Sequence, residues 1–241
     1  MRVDGRTQDQ KRPLKITPGF TRYAEGSVLI ELGDTRVLCT ATVENKVPPY
    51  LRDMAQGWVT AEYAMLPRSS AQRITREVTK GAVGGRTHEI QRLIGRSLRA
   101  VTDLRRLGER TIIVDYDVLH AHGGSRTAAI TGGFIAVALA LKALREQGKV
   151  GKDILKDYLA ATSVGIVEGR AVLDLNYIED STAETDLNLV GTGGGKFVEI
   201  QGTAEKDPFS DEELAEMLRL GRLGIQELVA AQKEIIGDTL P

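Results

Sequence analysis

Residues His120–Leu144 read HAHGGSRTAAITGGFIAVALALKAL, and this stretch decides how the rest of the chain is organised. Two glycines at 123–124 precede Ser125 and Arg126, and residues 127–141 carry no charge. An uncharged run of this length is typical of a core helix, and it is too short to span a membrane. We therefore predict the end of a strand, a glycine turn, and then a buried helix.

The same turn has the composition of an anion site. Gly123 and Gly124 leave room for positive φ and for close approach of a ligand to the backbone. The helix that follows offers unpaired N–H groups and the positive end of its dipole, and the Ser125 hydroxyl and the Arg126 guanidinium converge on the same point. Such a site suits a phosphate-sized anion. The alternative is an ordinary glycine turn before a core helix, with Arg126 paired to a carboxylate.

The composition is that of a soluble globular protein. The chain has 241 residues, of which 41% are hydrophobic and 27% charged, and this is enough to bury a sizeable core. Cys39 is the only cysteine, so no internal disulfide is possible, and with three histidines a structural zinc site is improbable. Because the N-terminus is polar and lacks an apolar segment, we expect no secretory signal, no membrane association and a cytoplasmic location.

Charge is unevenly distributed along the chain, although the formal net charge is only −1. Residues 68–110 contain eleven Lys/Arg against four Asp/Glu, and residues 168–216 contain thirteen acids against three bases. This polarity favours an anionic polymer on one surface and a cation or protein partner on another, unless the two segments neutralise each other within the fold. The cationic candidates are Arg68, Arg73 and Arg76 in a loop over 67–85, and Arg92, Arg96 and Arg99 on the helix that follows.

Outward from the central stretch, hydrophobic patterning predicts alternating strands and helices. The predicted strands cover 27–32, 35–43, 58–63, 110–119, 161–167, 171–176, 187–190 and 197–203. An amphipathic helix is predicted over His88–Leu104, a short helix over 151–158, and a last helix from Ser210, which forms a capping box with Glu213. Residues 1–25 are predicted to be irregular.

A weak internal repeat is present. The pattern Ser-Val-x-Ile followed by a glycine turn and Val-Leu occurs in 27–38 and again in 163–173. Thr-Ala-Glu then follows at 60–62 and at 203–205, each time before a long helix. We therefore predict an α+β fold with two similar strand–helix halves, built as a single domain over 1–241.

The segment Glu179–Asp186 places four carboxylates in eight residues between two strands. Asp180 is expected in the turn and Asp186 at the start of the next strand, so a loop that doubles back would bring both to one hard cation. Mg²⁺ with retained waters suits two carboxylates near a phosphate. The alternative is a turn in which Asp and Ser bond only the backbone.

These stretches together resemble the ribonuclease PH family of bacterial phosphorolytic 3′→5′ exoribonucleases, which trim tRNA precursors. The resemblance covers nearly the whole chain. Its motifs are RVDGR at 2–6, GFTRYAEGSVLI at 19–30, GWVTAEYAMLPR at 57–68, GRTHEIQRLIGRSLRA at 85–100, EDSTAETD at 179–186 and VEIQGTAE at 198–205. Several long motifs in the same order make the resemblance specific.

The resemblance implies a fold like domain 2 of ribosomal protein S5, with internal pseudo-symmetry, and a homohexameric ring built as a trimer of dimers. It implies that inorganic phosphate is bound by Arg86, Gly124, Ser125 and Arg126. It implies that Asp180 and Asp186 are the catalytic pair around Mg²⁺. It further implies RNA contacts at Arg68, Arg73 and Arg76. The alternatives for Arg92, Arg96 and Arg99 are that they add to these RNA contacts or that they lie at a subunit interface.

The implied reaction is attack of phosphate on the terminal phosphodiester of RNA, with release of a nucleoside diphosphate. Two rival functions are a non-catalytic ring subunit that only binds RNA and a hydrolytic exonuclease. Tyr116, His120, His122 and Ser125 depart from the family pattern, which usually has Cys, Gln, Asp and Thr there. Ser125 keeps the hydroxyl, whereas His122 either bonds phosphate when protonated or packs in the turn. Two imidazoles at 120 and 122 are weak grounds for a metal site.

Overall fold

The computed structural model describes residues 2–237, which form two β-sheets with helices packed on them. The strands are β1 (Leu14–Pro18), β2 (Gly26–Leu32), β3 (Thr35–Glu44), β4 (Trp58–Met65), β5 (Thr111–His120), β6 (Leu159–Val167), β7 (Arg170–Leu173), β8 (Thr185–Thr192) and β9 (Phe197–Ala204). The helices are α1 (Gly85–Ala100), α2 (Leu104–Leu107), α3 (Ser125–Glu146), α4 (Tyr177–Thr182) and α5 (Asp211–Ile236), with 3₁₀ turns at Pro49–Leu51 and Glu77–Lys80. The predicted α+β class is confirmed.

The two sheets differ in strand direction. The first has the order β1-β2-β3-β5-β4, antiparallel except for the parallel pair β4 and β5. The second has the order β7-β6-β8-β9 and is antiparallel throughout. A parallel neighbour requires a crossover, and the segment containing α1 supplies it between β4 and β5. The carboxyl end of β5 therefore leads directly into the turn before α3.

Helix α3 lies between the halves, in contact with β2 and β3 of the first sheet and with β6 of the second. Its 22 residues have a window of mean hydropathy 1.8, so length and composition alone would allow a membrane crossing. However, 83% of that window is buried inside the protein, which confirms the core-helix interpretation. The helix extends beyond the uncharged run of 127–141 at both ends, from Ser125 to Glu146.

Helix α5 closes the second sheet and joins it to α3. Ser210 and Glu213 form the predicted capping box, which is confirmed by both of its hydrogen bonds. Near the other end, the buried amide of Gln232 donates to the carbonyl oxygens of Thr131 at 3.1 Å and Leu159 at 2.8 Å. One side chain thus connects α5, α3 and β6.

Two local predictions were wrong, each for a physical reason. Residues 14–18 form the edge strand β1, in which Leu14 and Ile16 alternate with polar residues beside β2; prolines at its ends are tolerated because an edge strand needs no ladder there. Residues 151–158 form no helix. Asp153 has a φ of +62°, which a right-handed helix does not allow, and the backbone of 154–156 instead pairs with residues 101–103, with an isolated bridge between Leu155 and Thr102.

The repeat is visible as two hairpins, β2–β3 and β6–β7, each turning at a glycine. The first Thr-Ala-Glu lies inside β4 and the second at the end of β9, and long helices follow both. The halves differ in how the hairpin joins its sheet: the second strand of the first hairpin, β3, pairs with β5, whereas the first strand of the second hairpin, β6, pairs with β8. The single-domain prediction stays a prediction.

Tyr116 lies in the core against α3, where the family pattern would place a smaller residue. A Cβ at Gly133 would overlap the Tyr116 ring and hydroxyl, so the glycine makes room for this side chain. The phenol is 1% exposed, and its oxygen has no hydrogen-bond partner among the described residues. An unpaired buried hydroxyl costs free energy of folding.

We therefore expect Tyr116→Phe to raise the free energy of unfolding by about 1 kcal/mol, because it removes the unpaired hydroxyl and keeps the ring. The measurement is urea denaturation at fixed protein concentration. A Gly151→Ala variant is a suitable control, since nothing lies within 4 Å of the added carbon. A loss of stability in Tyr116→Phe would contradict the prediction.

Candidate active site

The turn between β5 and α3 has a conformation that requires its glycines. Gly123 and Gly124 have φ of +84° and +66°. A Cβ at Gly123 would lie 2.6 Å from the carbonyl oxygen of Leu175, so the turn packs directly on the backbone that leads into α4. Gly124 is the N-cap of α3 and has no side chain to cap it, so the first N–H groups of that helix have no partner within the helix.

A buried arginine holds the turn from behind. Arg12 makes a two-pronged ion pair with Asp174, at 2.6 Å and 2.9 Å, and both side chains are almost fully buried. The same guanidinium donates to the carbonyl oxygen of His122 at 2.6 Å and to that of Gly123 at 3.3 Å. The Thr35 hydroxyl donates to the Gly123 carbonyl at 2.7 Å. These bonds fix where the N-terminus of α3 points.

Polar groups then converge in front of the turn. Ser125 and Arg126 are the first residues of α3, and Arg86 is the second residue of α1. Arg126 donates to the side-chain oxygen of Gln201 at 3.3 Å, and the Tyr63 hydroxyl donates to Ser125 Oγ at 3.0 Å. Two guanidinium groups, a hydroxyl and a helix N-terminus match the donors that bind an oxyanion.

The four carboxylates of 179–186 separate into two kinds. Glu179 is buried, caps α4 through the box with Asn176, and pairs with Arg2 at 2.7 Å. Glu184 accepts a hydrogen bond from the backbone of Gly169. The remaining two, Asp180 and Asp186, line a cleft together.

Asp180 lies in α4 and not in a turn as predicted, because the capping box starts a short helix there. Asp186 is the second residue of β8, as expected for the start of a strand. Both aspartates line a single cleft of about 750 Å³. The same cleft is lined by Arg86, Gly123, Gly124, Ser125, Arg126, Tyr177, Asn188 and Gln201. All residues predicted for phosphate and metal therefore meet in one place.

The charges in this cleft shift the titration of the aspartates. Burial raises the pKa of Asp186 to about 6, with a further rise from the charge of Asp180, while Arg126 and a hydrogen bond from Asn188 oppose it. The pKa of Asp180 is also raised because surrounding protein desolvates it, although Arg126 and Arg86 oppose that rise. The two carboxylates repel each other and face the arginines across the cleft. Such a pair favours a bound cation.

The predicted RNA arginines fall into two groups. Arg68, Arg73 and Arg76 are exposed in the loop after β4, and Arg92 is exposed on α1. Arg96 is held by Glu199 of β9, with its closest contact at 2.8 Å. The third arginine of the helix row, Arg99, donates to the carbonyl oxygen of Val59 and stacks on Trp58 at 4.3 Å. Its burial lowers its pKa.

Several residues of the site were not found from the sequence. Arg12, Asp174 and Thr35 act at the back of the turn, and Tyr63 behind Ser125; none has a local pattern that indicates the contact. His122 packs against Tyr177 with ring centres 6.5 Å apart, and His120 is exposed at the end of β5. Within residues 2–237, no group of three or more His, Cys, Asp or Glu is placed to bind a metal.

Comparison with known proteins agrees with the family resemblance found in the sequence. Two family models match, described as the 3′ exoribonuclease family, domain 1 over residues 10–142 and domain 2 over residues 157–223. The chain is 58% identical over 236 residues to a protein named ribonuclease PH from Solibacter usitatus, covering 98% of this chain and 99% of the relative. It is 57% identical over 241 residues to ribonuclease PH of Listeria welshimeri, covering 100% and 97%.

Solved structures confirm the fold. Rice Rrp46 superposes with a TM-score of 0.78 at 19% identity, covering 98% of this chain and 100% of its own. The Archaeoglobus fulgidus exosome with RNA bound to its active site gives a TM-score of 0.78 at 22% identity, covering 95% and 92%. The expected fold class, an α+β fold of the ribonuclease PH type with two similar strand–helix halves, is thereby confirmed. On the family models and the full-length relatives, the chain belongs to the 3′ exoribonuclease family.

Proposed function

We propose that the chain is a phosphate-dependent 3′→5′ exoribonuclease that trims tRNA precursors and releases nucleoside diphosphates, the activity of a ribonuclease PH. One observation carries the proposal: an anion site and a carboxylate pair line the same cleft. Phosphoryl transfer needs both kinds of group. Cationic donors bind the anionic oxygens, and carboxylates hold a metal ion whose positive charge stabilises the phosphoryl group in transfer. A subunit that only binds RNA has no need of the carboxylate pair.

The proposed reaction transfers the terminal nucleotide from RNA to inorganic phosphate. A phosphate oxygen attacks the phosphorus of the last phosphodiester, the bond to the 3′ oxygen of the penultimate nucleotide breaks, and that oxygen takes up a proton. Arg86, Gly124, Ser125 and Arg126 would bind the attacking phosphate and offset its repulsion from the RNA phosphate. Positioning is the main requirement, because phosphate is already a nucleophile and no activated serine or cysteine is needed. The reverse reaction uses the same groups.

The carboxylate pair fits a divalent cation. The charge of Asp180 raises the cost of ionising Asp186, and a bound cation would relieve it. Two carboxylates match Mg²⁺, which retains several waters and takes further oxygens from phosphates. When bound, Mg²⁺ supplies positive charge to the phosphoryl group in transfer. The proposed role of Asp180 and Asp186 is to hold that cation or to assist proton transfer to the departing 3′ oxygen.

RNA is proposed to approach over the loop that follows β4. Arg68, Arg73 and Arg76 are exposed there, and this loop leads into the helix that carries Arg86 at the cleft. Exposed guanidinium groups attract a polyanion from solution. Arg92 extends this surface. Arg96 and Arg99 already have partners within the chain, which favours a structural or interface role for them.

We also propose a homohexameric ring, built as a trimer of dimers, and a cytoplasmic location. Large apolar side chains lie at the surface, among them Tyr23 at 91% and Val78 at 80% exposure, and contacts between subunits would cover such groups. The buried Cys39, alone in the chain, needs no oxidising compartment. Light scattering should give a mass near six times 26.2 kDa.

Arg126→Ala should lower phosphorolysis at least about 100-fold, because it removes a charged donor at the attacking phosphate. The measurement is release of nucleoside diphosphates from a short single-stranded RNA at varied phosphate, with and without Mg²⁺. Arg170→Ala, on the exposed hairpin of the second sheet, is the matched control and should keep full activity.

Undiminished phosphorolysis in Arg126→Ala would rule out its role. The products themselves separate the rival enzyme: nucleoside monophosphates formed without added phosphate indicate hydrolysis and would overturn the proposal.

Replacing Arg68, Arg73 and Arg76 together by alanine should weaken the binding of RNAs of any nucleotide sequence, because the lost contacts are to phosphates. The slope of log affinity against log salt should fall by about two units, as expected for the loss of three contacts to a single strand. Arg96→Ala is the contrasting variant, since its guanidinium is paired with Glu199 and its loss should leave the slope nearly unchanged. A triple variant with the wild-type slope would contradict this assignment.

Asp186→Asn should stabilise the metal-free protein. The pKa of Asp186 is about 6 in the fold against 3.8 for the free side chain, so the folded state binds its proton more tightly. Its charge therefore costs stability at pH 7.5, and this cost falls as the pH drops through 6. We expect the variant to gain about 1–3 kcal/mol at pH 7.5 and about half of that at pH 5. Urea unfolding in chelator tests this, and an equal gain at both pH values would refute it.

A further inference from the structure

We infer that Tyr63 is a positioning residue for the phosphate site and acts through the hydroxyl of Ser125. This inference rests on the proposed function, because it assumes that phosphate binds beside Ser125. Tyr63 is not part of the anion site itself, because it lies behind Ser125 and does not line the cleft.

Tyr63 reaches Ser125 from the interior of the protein. It lies on β4, which runs parallel to β5, and only 5% of its surface is exposed. Its hydroxyl donates to Ser125 Oγ at 3.0 Å. Ser125 is partly exposed and lines the cleft on the other side. The serine hydroxyl is therefore placed between a buried phenol and the space for the anion.

The direction of the hydrogen bond decides what the serine can do. A serine hydroxyl has one hydrogen to donate and two lone pairs that accept. A phenol is the stronger acid of the two hydroxyls and hence the better donor, so with Tyr63 donating to one lone pair the hydrogen of Ser125 is free to point into the cleft. Burial raises the pKa of Tyr63, although the hydrogen bond and the charges of Arg86 and Arg126 oppose the rise, so the phenol keeps its hydrogen at neutral pH.

The same bond fixes the rotamer of Ser125. A serine side chain has three staggered rotamers, and only some of them direct its oxygen towards the cleft. Tyr63 selects the rotamer that also meets its own hydroxyl. A chain from phenol to serine to phosphate oxygen would further polarise the second bond, because hydrogen bonds in series strengthen each other. The predicted effect is on the binding of phosphate and not on that of RNA.

The test is Tyr63→Phe, which removes only the hydroxyl. We expect the KM for phosphate to rise about fivefold, the effect of losing one neutral hydrogen bond, with the KM for RNA and kcat at saturating phosphate within about twofold of wild type. Tyr116→Phe removes another buried phenol that does not contact Ser125, so its phosphate KM should be unchanged. Melting temperatures of both variants report on folding.

Two further variants distinguish positioning through Ser125 from a general structural effect. Combined with Ser125→Ala, the Tyr63→Phe change should have no further effect on phosphate KM, since its target is gone. Ser125→Thr should rescue Tyr63→Phe, because the added methyl group restricts the rotamers of the hydroxyl. Additive losses in the double variant, no rescue, or an unchanged phosphate KM in Tyr63→Phe would each overturn the inference.

Failure of the proposed function has a different signature. It would be seen in the wild-type protein, as RNA degradation that does not depend on phosphate, and it would remove the basis of this inference. Phosphate dependence in the wild type with no effect of Tyr63→Phe overturns the inference alone.

Discussion

The structure depends most on the buried ion pair between Arg12 and Asp174. It joins three parts of the chain: the N-terminal segment, the glycine turn before α3, and the segment that leads into α4. Removing Asp174 would leave the buried charge of Arg12 without its carboxylate partner, which is far more costly than losing an exposed pair. Arg6 is a second partner of Asp174, at 3.3 Å. Because the Arg12 guanidinium binds the carbonyl oxygens at 122 and 123, the orientation of the turn and the position of α4 are set together. The residues of the first half that are proposed to bind phosphate therefore line the same cleft as the aspartates of the second.

This arrangement creates an electrostatic balance that neither half has alone. Arg126 lowers the cost of ionising Asp180 and Asp186, and the aspartates in turn limit the excess positive charge around the anion site. The balance is incomplete, since the pKa of Asp186 remains at about 6. In the free cleft the two aspartates therefore repel each other, and so do the two arginines. A cation would relieve the first repulsion and an oxyanion the second. Binding both ligands together is favoured over binding either one, which is what a transfer between two phosphates requires.

The sequence was sufficient where the determinants are local. The uncharged run of α3, the capping box at Ser210 and the strand start at Asp186 follow from a few adjacent residues, and the structure agrees. The Arg12–Asp174 pair could not be predicted in this way, because its partners are 162 positions apart and each has an ordinary neighbourhood. The four carboxylates of 179–186 are also equivalent in sequence. The capping box of α4 separates them, since it directs Glu179 to a buried arginine and leaves Asp180 towards the cleft.

The arginine row of α1 shows the same limit from another side. Helical spacing places Arg92, Arg96 and Arg99 near one another, and so predicts a shared surface. Which guanidinium groups remain available depends on neighbours from distant strands: Glu199 pairs with Arg96, and Trp58 stacks with Arg99. A polyanion would have to displace those partners to bind there. The available positive charge instead runs from the loop after β4 to Arg86, at the N-terminal end of the helix. That path leads to the cleft and Arg92 extends it, whereas Arg96 and Arg99 are held by Glu199 and Trp58.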